Sequence, residues 1–120
     1  MRRGDRPPIH ITMSDTDAAW LAGLLEGEGH FTVSGKSVCI GVEMSDKDII
    51  DRVKSTVGAG NLTGPRLRKN YKPLYTWRLT MRPEIEQLAV YLLPHMGERR
   101  TKQLVLMLGF IRIMKGNGND

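Results

Sequence analysis

Cysteine is almost absent from this chain, since Cys39 is the single one among 120 residues. One thiol excludes an internal disulfide and any zinc site built from several cysteines. Long apolar runs are missing too: the longest, residues 104–111, is far shorter than the roughly 20 residues that cross a bilayer. The basic start, residues 1–5, has no apolar core after it, unlike a signal peptide. We therefore expect an intracellular protein, cytoplasmic or organellar, that is not secreted and has no membrane partner.

Positive charge is unevenly distributed along the chain. The net charge is +5 and the pI is about 9.7. Residues 61–120 contain 11 Lys and Arg against 4 Asp and Glu, whereas residues 1–60 contain 7 against 9. Basic side chains that neutralise phosphates gain free energy by releasing counterions, so the basic second half indicates a polyanionic partner. An ordinary solvated basic surface is the alternative.

The length fits one domain with a single core. Residues 1–13 are rich in Arg and Pro and predict a flexible basic arm. A domain over residues 14–116 and a short tail, residues 117–120, follow. Ser14 with Asp17 three positions later predicts a capping box at the start of the first helix, which should end at the glycines of residues 27–29.

Two alternating stretches then predict a first hairpin, with strands over residues 30–34 and 38–44 and a turn at Gly35–Lys36. The side chains predicted to face the core are Phe31, Val33, Val38, Ile40, Val42 and Met44.

The order of elements repeats after this hairpin. Ser45 with Asp48 predicts a second capping box, and Gly58 predicts the end of that helix. Residues 61–81 predict a second hairpin, whose two strands are linked through residues 70–73.

The last third of the chain predicts two more helices. Pro83 suits the first turn of a third helix, and Pro94 ends it. A fourth helix begins after Gly97 and ends near Gly116. The resulting order, helix, hairpin, helix, hairpin, helix, helix, predicts an α+β fold with an antiparallel sheet.

The end of the first helix, residues 21–29, combines two features that seldom coincide. Gly23 and Gly27 share one helical face, where another helix could approach closely, although the glycines could equally pack against the chain's own sheet. Glu26 and Glu28 lie at the negative end of the helix macrodipole, where acids are mildly destabilising. Such a cluster is tolerable where a divalent cation binds it, and the alternative is a pair of solvated glutamates at a fraying terminus.

Residues 21–29, Leu-Ala-Gly-Leu-Leu-Glu-Gly-Glu-Gly, resemble the LAGLIDADG motif with Glu in place of both Asp. The αββαββα order is also similar to that of the single-motif LAGLIDADG homing endonucleases. The resemblance implies a saddle-shaped four-stranded antiparallel sheet and Mg²⁺-dependent cleavage of double-stranded DNA by a homodimer, in the homing of an intron or intein. The dimer interface that it implies comprises Leu21, Gly23, Leu24 and Gly27.

The resemblance also implies the catalytic residues. It makes Glu28, with Gly27 beside it, the metal-binding position of each subunit. A basic residue near the start of the last helix completes the site in this family. Counting back from the end of the basic run favours Arg100, whereas counting forward from its proline favours Arg99, and Lys102 is the reserve candidate. An arginine can stabilise charge on a phosphate but is a poor proton carrier.

Strand alternation predicts which side chains face away from the helices. Such Arg, Thr and Ser side chains on an antiparallel ribbon suit the base edges and phosphates of a major groove, although an ordinary solvated sheet face is also polar. We expect the other strand residues of this face to include Ser37, Cys39 and Glu43. The predicted DNA-binding residues are His30, Thr32, Ser34, Arg66, Arg68, Thr76, Arg78 and Thr80, with Lys69 and Lys72 beside the second turn.

Two other classes of function remain open at this point. The same fold could serve as a catalytically inactive DNA-binding protein or as an intron-RNA maturase, but neither role needs Glu28 and the basic run. A small RNA-binding protein would explain the charge but not the paired glycines with terminal glutamates. The three histidines, His10, His30 and His95, are scattered, which argues against nucleases of the His-Asn-His or zinc-finger kind.

Overall fold

The structure is a computed structural model that describes residues 6–116 of the chain. The order of elements within these residues confirms the predicted α+β class. The elements are α1 (Asp15–Glu28), β1 (Gly29–Ser34), β2 (Ser37–Met44), α2 (Lys47–Val57), β3 (Asn61–Arg68), β4 (Tyr71–Leu79), α3 (Arg82–Leu92), a 3-10 turn (Leu93–His95) and α4 (Glu98–Gly116).

The strands form one antiparallel sheet in the order β1-β2-β4-β3. Helices pack on one face of this sheet, which we call the inner face, and their apolar side chains form the core together with β2 and β4. Val33 departs from the prediction that it faces the core, because its side chain is 45% exposed close to the end of the edge strand β1. The largest fully buried side chains are Trp77, Ile11, Leu21, Leu25, Ile40, Ile50, Leu79, Ile85, Leu88, Leu92, Leu104 and Met107.

The caps of the helices follow the sequence at most ends. The Ser14 side chain accepts a hydrogen bond from the backbone N–H of Asp17, as predicted. Gly58 ends α2 in the left-handed conformation, with φ of 77°. The capping box predicted at Ser45 is wrong: Asp46 is the N-cap and its side chain makes no capping hydrogen bond. β2 extends to Met44, so the chain needs two further residues to leave the sheet before α2 begins.

The second hairpin has a tighter turn than the sequence predicted. Lys69 and Asn70 alone connect the strands, with Asn70 at φ of 65°, and residues 71–73 belong to β4. Pro73 suggested a loop because proline cannot donate to a strand ladder. It is tolerated here because the pairing of β4 with β2 begins only at Tyr75, so this end of β4 has one neighbouring strand.

The predicted flexible arm is held in place over residues 6–13, which we call the N-terminal strap. Its Arg6 side chain forms a salt bridge of 2.7 Å with Glu84 of α3, and the backbone N–H of Ile9 donates to the same carboxylate at 2.8 Å. The N–H of Ile11 donates to Gln87, and the Ile11 side chain is buried in the core. Residues 1–5 of the predicted arm and the predicted tail, residues 117–120, lie outside the described residues. None of the helices in the described range is long and apolar enough to span a membrane.

Candidate functional site

The glycine-rich end of α1 has one closed side and one open side. Leu21 and Leu25 are completely buried in the core of this chain. Gly23 and Gly27 are exposed, and a Cβ atom at either position would meet no heavy atom within 4 Å among the described residues, its own helical turn aside. Packing of these glycines against the chain's own sheet, the alternative left open above, is therefore wrong. Leu21 is wrongly assigned to an interface, because it has no surface left to offer.

The open side of α1 is a smooth surface bordered by larger apolar groups. Leu24 is half-buried beside the two glycines, and so is Trp20 one turn earlier. The guanidinium of Arg52, from α2, lies 3.9 Å from the centre of the Trp20 ring. This cation–π contact fixes the indole at the border of the glycine surface. The open surface of α1 thus has a shape suited to close approach by another helix.

The closed side of α1 meets the start of α4 in what we call the α1–α4 junction, formed by Glu26, Gly29, Gly97 and Arg100. Glu26 Oε1 accepts the backbone N–H of Gly97 at 2.7 Å. Glu26 thereby lies at the N-terminus of α4, where the macrodipole favours an acid, and this offsets its unfavourable place at the C-terminus of α1. A Cβ atom at Gly97 would lie 3.3 Å from this carboxylate, a tight contact that would require the Glu26 side chain to shift slightly.

Arg100 completes the junction from the other direction. Its Nε donates to the Glu26 carbonyl at 3.1 Å and its Nη2 donates to the Gly29 carbonyl at 2.7 Å. The residue is only 7% exposed, and burial followed by the charge of Arg99 lowers its pKa, which Glu26 partly opposes. Arg100 thus satisfies a carbonyl in the last turn of α1, a group that a helix end otherwise leaves without a donor, and the carbonyl of the C-cap residue Gly29.

Three of the residues predicted to act in catalysis therefore differ in what they can reach. Arg100 is occupied with the end of α1, whereas Arg99 and Lys102 are exposed on the first turns of α4. Glu28 is exposed and lies between the junction residues Glu26 and Gly29, at the point where α1 passes into β1. The junction thus fixes the backbone that carries Glu28 while leaving its carboxylate accessible.

The outer face of the sheet, opposite the helices, begins at this same point. Residues paired across antiparallel strands project to the same side, so the register defines the face. Its members by pairing are His30, Thr32, Ser34, Ser37, Cys39, Gly41, Glu43, Asn61, Thr63, Arg66, Leu74, Thr76 and Arg78. The predicted residues of the first hairpin and the predicted Arg66, Thr76 and Arg78 are thus brought together on one surface.

Asn61 and Thr63 belong to this face but were missed by alternation. Between Thr63 and Arg66 the strand β3 advances three residues while β4 advances two, so one extra residue is accommodated at a bulge. Gly64, in this bulge, has φ of 117°, a conformation that only glycine adopts readily. A bulge reverses which residues face outward, and only the glycine next to a proline in the sequence could have signalled it.

The arginines of the second hairpin are not equally available. Arg66 is exposed and forms a salt bridge of 3.0 Å with Glu43, which also accepts the Thr76 hydroxyl at 2.8 Å. The hydrogen bond from Thr76, and then that from Arg66, hold the pKa of Glu43 below its usual value. Arg68 instead folds back on the turn, where it donates to the Lys72 carbonyl and lies over the Tyr71 ring. Arg68 was predicted to be available like Arg66, but its side chain is occupied by these contacts within the turn.

His30 occupies the outer face next to the end of α1. Its imidazole lies against Gly41, where a Cβ atom would approach the ring to 2.6 Å. Burial lowers the pKa of His30, and the positive charges of Arg78 and Arg100 lower it further, against an opposing contribution from Glu43. These effects favour the neutral imidazole, which can accept a proton or a hydrogen bond.

Comparison with known proteins gives one match of sequence and several of backbone. Residues 15–91 match the family model of LAGLIDADG-like domains. I-CvuI, solved in complex with its target in the presence of calcium, superposes with a TM-score of 0.67 and 21% identity over 82% of this chain and 67% of its own. The archaeal intron-encoded I-Vdi141I, complexed with DNA, superposes with a TM-score of 0.70 and 14% identity over 86% of this chain and 71% of its own.

The group I intron-encoded I-CeuI, also complexed with DNA, gives a TM-score of 0.70 and 12% identity over 91% of this chain and 60% of its own. No curated protein matches the chain. Since every identity is below 25%, these superpositions establish the fold, and the sequence match establishes the kinship.

Proposed function

Because this chain belongs to the LAGLIDADG family of homing endonucleases, we propose that it is an intracellular, site-specific endonuclease that binds double-stranded DNA as a homodimer. It hydrolyses phosphodiester bonds with the help of a divalent cation, Mg²⁺. The observation that carries this proposal is the open glycine surface of α1, which leads directly to the exposed Glu28.

Two-fold pairing through this surface explains both of its features. A duplex has two strands to cut, and one chain supplies one motif. Gly23 and Gly27 leave room for a second α1 to approach, and the contact would bring the two copies of Glu28 near each other. Leu24 and Trp20 at the border of the surface provide the apolar area that an isolated pair of glycines lacks.

The residues at the end of α1 suit a hard cation only as part of such a pair. No group of three or more His, Cys, Asp or Glu side chains that could hold a metal occurs within residues 6–116. Mg²⁺ needs only one or two carboxylates besides water and phosphate oxygens, which two copies of Glu28 and the Gly27 carbonyls would provide. The cation supplies charge stabilisation at the phosphate and a more acidic bound water.

The remaining roles follow from accessibility. Arg99 and Lys102 are exposed on the first turns of α4, the helix that meets the end of α1, and are the groups available to contact a scissile phosphate and stabilise its developing charge. Arg100 acts as a positioning residue, because its guanidinium is committed to the carbonyls that precede and follow Glu28. DNA lies on the outer face, where Arg66, Arg78 and the exposed Thr and Ser side chains meet the groove and phosphates, whereas Thr76 is buried against Glu43.

Cleavage of a DNA library in the presence of Mg²⁺, followed by sequencing of the cut ends, tests this proposal. Cleavage at one sequence is expected for the wild type. Glu28→Gln should abolish it while DNA affinity stays equal or rises, because the amide keeps the shape but removes the charge that holds the cation and repels phosphates. Glu86→Gln on α3, the matched control, should cut normally.

Two results would contradict the proposal. Cleavage by Glu28→Gln at the wild-type rate would show that the catalytic assignment is wrong. Specific DNA binding by the wild type without any cleavage would favour the inactive DNA-binding protein, and preference for intron RNA would favour the maturase.

A further inference from the structure

A cleft of about 710 Å³ opens where the two hairpins separate, at the end of the sheet remote from Glu28. The pairing of β2 with β4 stops at Ile40 and Leu79. Beyond that pair, β2 continues to its turn at Gly35–Lys36, whereas the chain leaving β4 turns away into α3. The N-terminal strap contributes Arg6 and Pro8 to the wall, and we call the resulting space the hairpin cleft.

The chemistry of the hairpin cleft is strongly cationic. Its walls carry Arg6, Lys36, Arg78 and Arg82, together with the hydroxyl of Ser37, and none of the described residues that line it is acidic. Among residues 6–116, only Arg6 of these four cations forms a salt bridge with an acid. Lys36, Arg78 and Arg82, which form no salt bridge within residues 6–116, place three positive charges around one concave space, and such a space is suited to an anionic ligand.

The walls are held in position by contacts inside the protein. The Arg82 guanidinium donates to the Lys36 carbonyl at 2.6 Å, which ties the first turn of α3 to the β1–β2 turn. Its other N–H groups stay available, since an arginine carries five. Arg6 is held by both oxygens of Glu84 at 2.7 and 3.1 Å, and the Glu84 side chain is itself fully buried. A ligand would therefore meet a site that needs little rearrangement.

The position of the hairpin cleft identifies the ligand. Ser37, Cys39 and Arg78 line the cleft and are also members of the outer face, so the two surfaces are continuous. A duplex on the outer face would place its sugar-phosphate backbone over the mouth of the cleft. We propose that the hairpin cleft binds a backbone phosphate of the DNA, outside the bases that the strands read, and so sets the register of the duplex. This inference rests on the DNA binding proposed above.

Neutralising single phosphates tests the inference. Duplexes of the cleaved sequence, each with one methylphosphonate, are compared for binding to the wild type and to a Lys36→Gln/Arg82→Gln variant. The wild type should bind one such duplex roughly 10-fold more weakly, as expected when a hydrogen-bonded charge pair is lost. The variant should bind unmodified target and scrambled DNA more weakly by a similar factor, and should be insensitive to that one methylphosphonate.

The salt dependence gives a second readout that loss of folding would not imitate. The variant should reduce the slope of log affinity against log salt by about one, because one phosphate is no longer neutralised. Arg112→Gln, which removes an exposed cation of α4 away from the cleft, should leave the slope and the methylphosphonate pattern unchanged. Thermal unfolding of all three proteins verifies that they are folded.

Three outcomes would overturn the inference. One is a variant whose methylphosphonate pattern is the same as that of the wild type. Another is saturable binding of inorganic phosphate, detected by NMR at Ser37 and Arg82, together with a phosphate scan that is the same for the variant and the wild type. The cleft would then bind a free anion rather than a phosphate of DNA. If the wild type and Arg112→Gln bind no DNA at all, the proposed function fails together with the inference. If the wild type and Arg112→Gln bind DNA but no single methylphosphonate weakens the binding, the inference about the hairpin cleft is wrong while the proposed DNA binding stands.

Discussion

The two sides of α1 differ in how many contacts they make with the rest of this chain. On the junction side, Glu26 and Arg100 hydrogen-bond the ends of two helices, and each charged group has its partners within the chain. On the opposite side, a Cβ atom added at Gly23 or Gly27 would meet no atom of the described chain outside its own helical turn. The outer face resembles the second case, since Arg66 and Arg78 are exposed there. Closed regions fix the geometry of the site, and open regions mark the places that a partner completes.

The largest effect is expected from Gly23→Leu, which should weaken the dimer without destabilising the single chain. The added side chain points into open space in a single chain, and leucine favours a helix by roughly 0.8–1 kcal/mol over glycine, so the monomer should be as stable as the wild type or more so. The dimer should weaken by at least about 1,000-fold through steric overlap, equivalent to about 4 kcal/mol. Sedimentation at micromolar concentration measures this difference.

Gly109→Leu is the matched control, because Gly109 is also an exposed helical glycine with nothing within 4 Å, but on α4. It should remain a dimer. A wild type that sediments as a monomer at micromolar concentration with DNA present would show that the open side of α1 is not an interface.

Arg100→Ala should be the most destabilising change on the closed side. It leaves the carbonyls of Glu26 and Gly29 without their donors, at about 1–3 kcal/mol for each. Arg99→Ala should alter the free energy of unfolding by less than about 0.5 kcal/mol, because that side chain is exposed, but should reduce cleavage by about 10²-fold or more. Denaturant unfolding and single-turnover cleavage give the two measurements. Equal loss of stability in both variants would contradict the division of roles.

Glu84 provides a second closed region, whose contribution depends on pH. Burial alone raises the pKa of Glu84, but hydrogen bonds from Arg6 and from the Ile9 N–H outweigh it and hold the pKa below the ordinary value. A lowered folded pKa means that the ionised form stabilises the fold fully above the unfolded pKa, about 4.3, and that this stability is lost as the pH falls through the folded pKa.

Denaturant unfolding between pH 7 and pH 3 should therefore show the wild type losing stability below about pH 4.3. Glu84→Gln should be less stable at pH 7 by about 1–3 kcal/mol and should have a flatter pH profile, because its amide cannot ionise. Lys115→Gln, which removes an exposed salt bridge to Glu86, is the control and should keep the wild-type profile. Parallel profiles for Glu84→Gln and the wild type would show that the strap is not fastened by this charge.

The smallest effects are expected on the outer face and concern recognition rather than folding. Arg66→Ala should cost roughly 1–3 kcal/mol of binding and relax the preference at one position of the target. Lys72→Ala should weaken binding to all sequences alike and reduce the salt dependence by about one. Binding to target and scrambled DNA across a salt series measures both. If both substitutions gave the same uniform loss, the second hairpin would only hold the backbone, and reading would belong to the first hairpin.

Much of the fold was predictable because local patterns agree with the tertiary arrangement. The hydrogen bond of Ser14, the turn at Gly35–Lys36 and the left-handed Gly58 depend on neighbouring residues alone. The sequence failed at β3, where the extra residue near Gly64 reversed the outward residues. It failed again at Arg68, which turns back to the Lys72 carbonyl. Alternation assumes an unbroken register, and a bulge is decided by the partner strand.

The sequence by itself determined the order of elements, the family and the presence of two glycines and two acids at the end of α1. Only the tertiary structure decided what these residues do. Glu26 and Glu28 are chemically identical and two positions apart, yet one caps α4 and the other stays accessible. Arg99 and Arg100 are adjacent, yet only Arg100 is buried against α1. A helix turns by about 100° per residue, so neighbours in sequence face different surroundings, and those surroundings come from segments some 70 residues away.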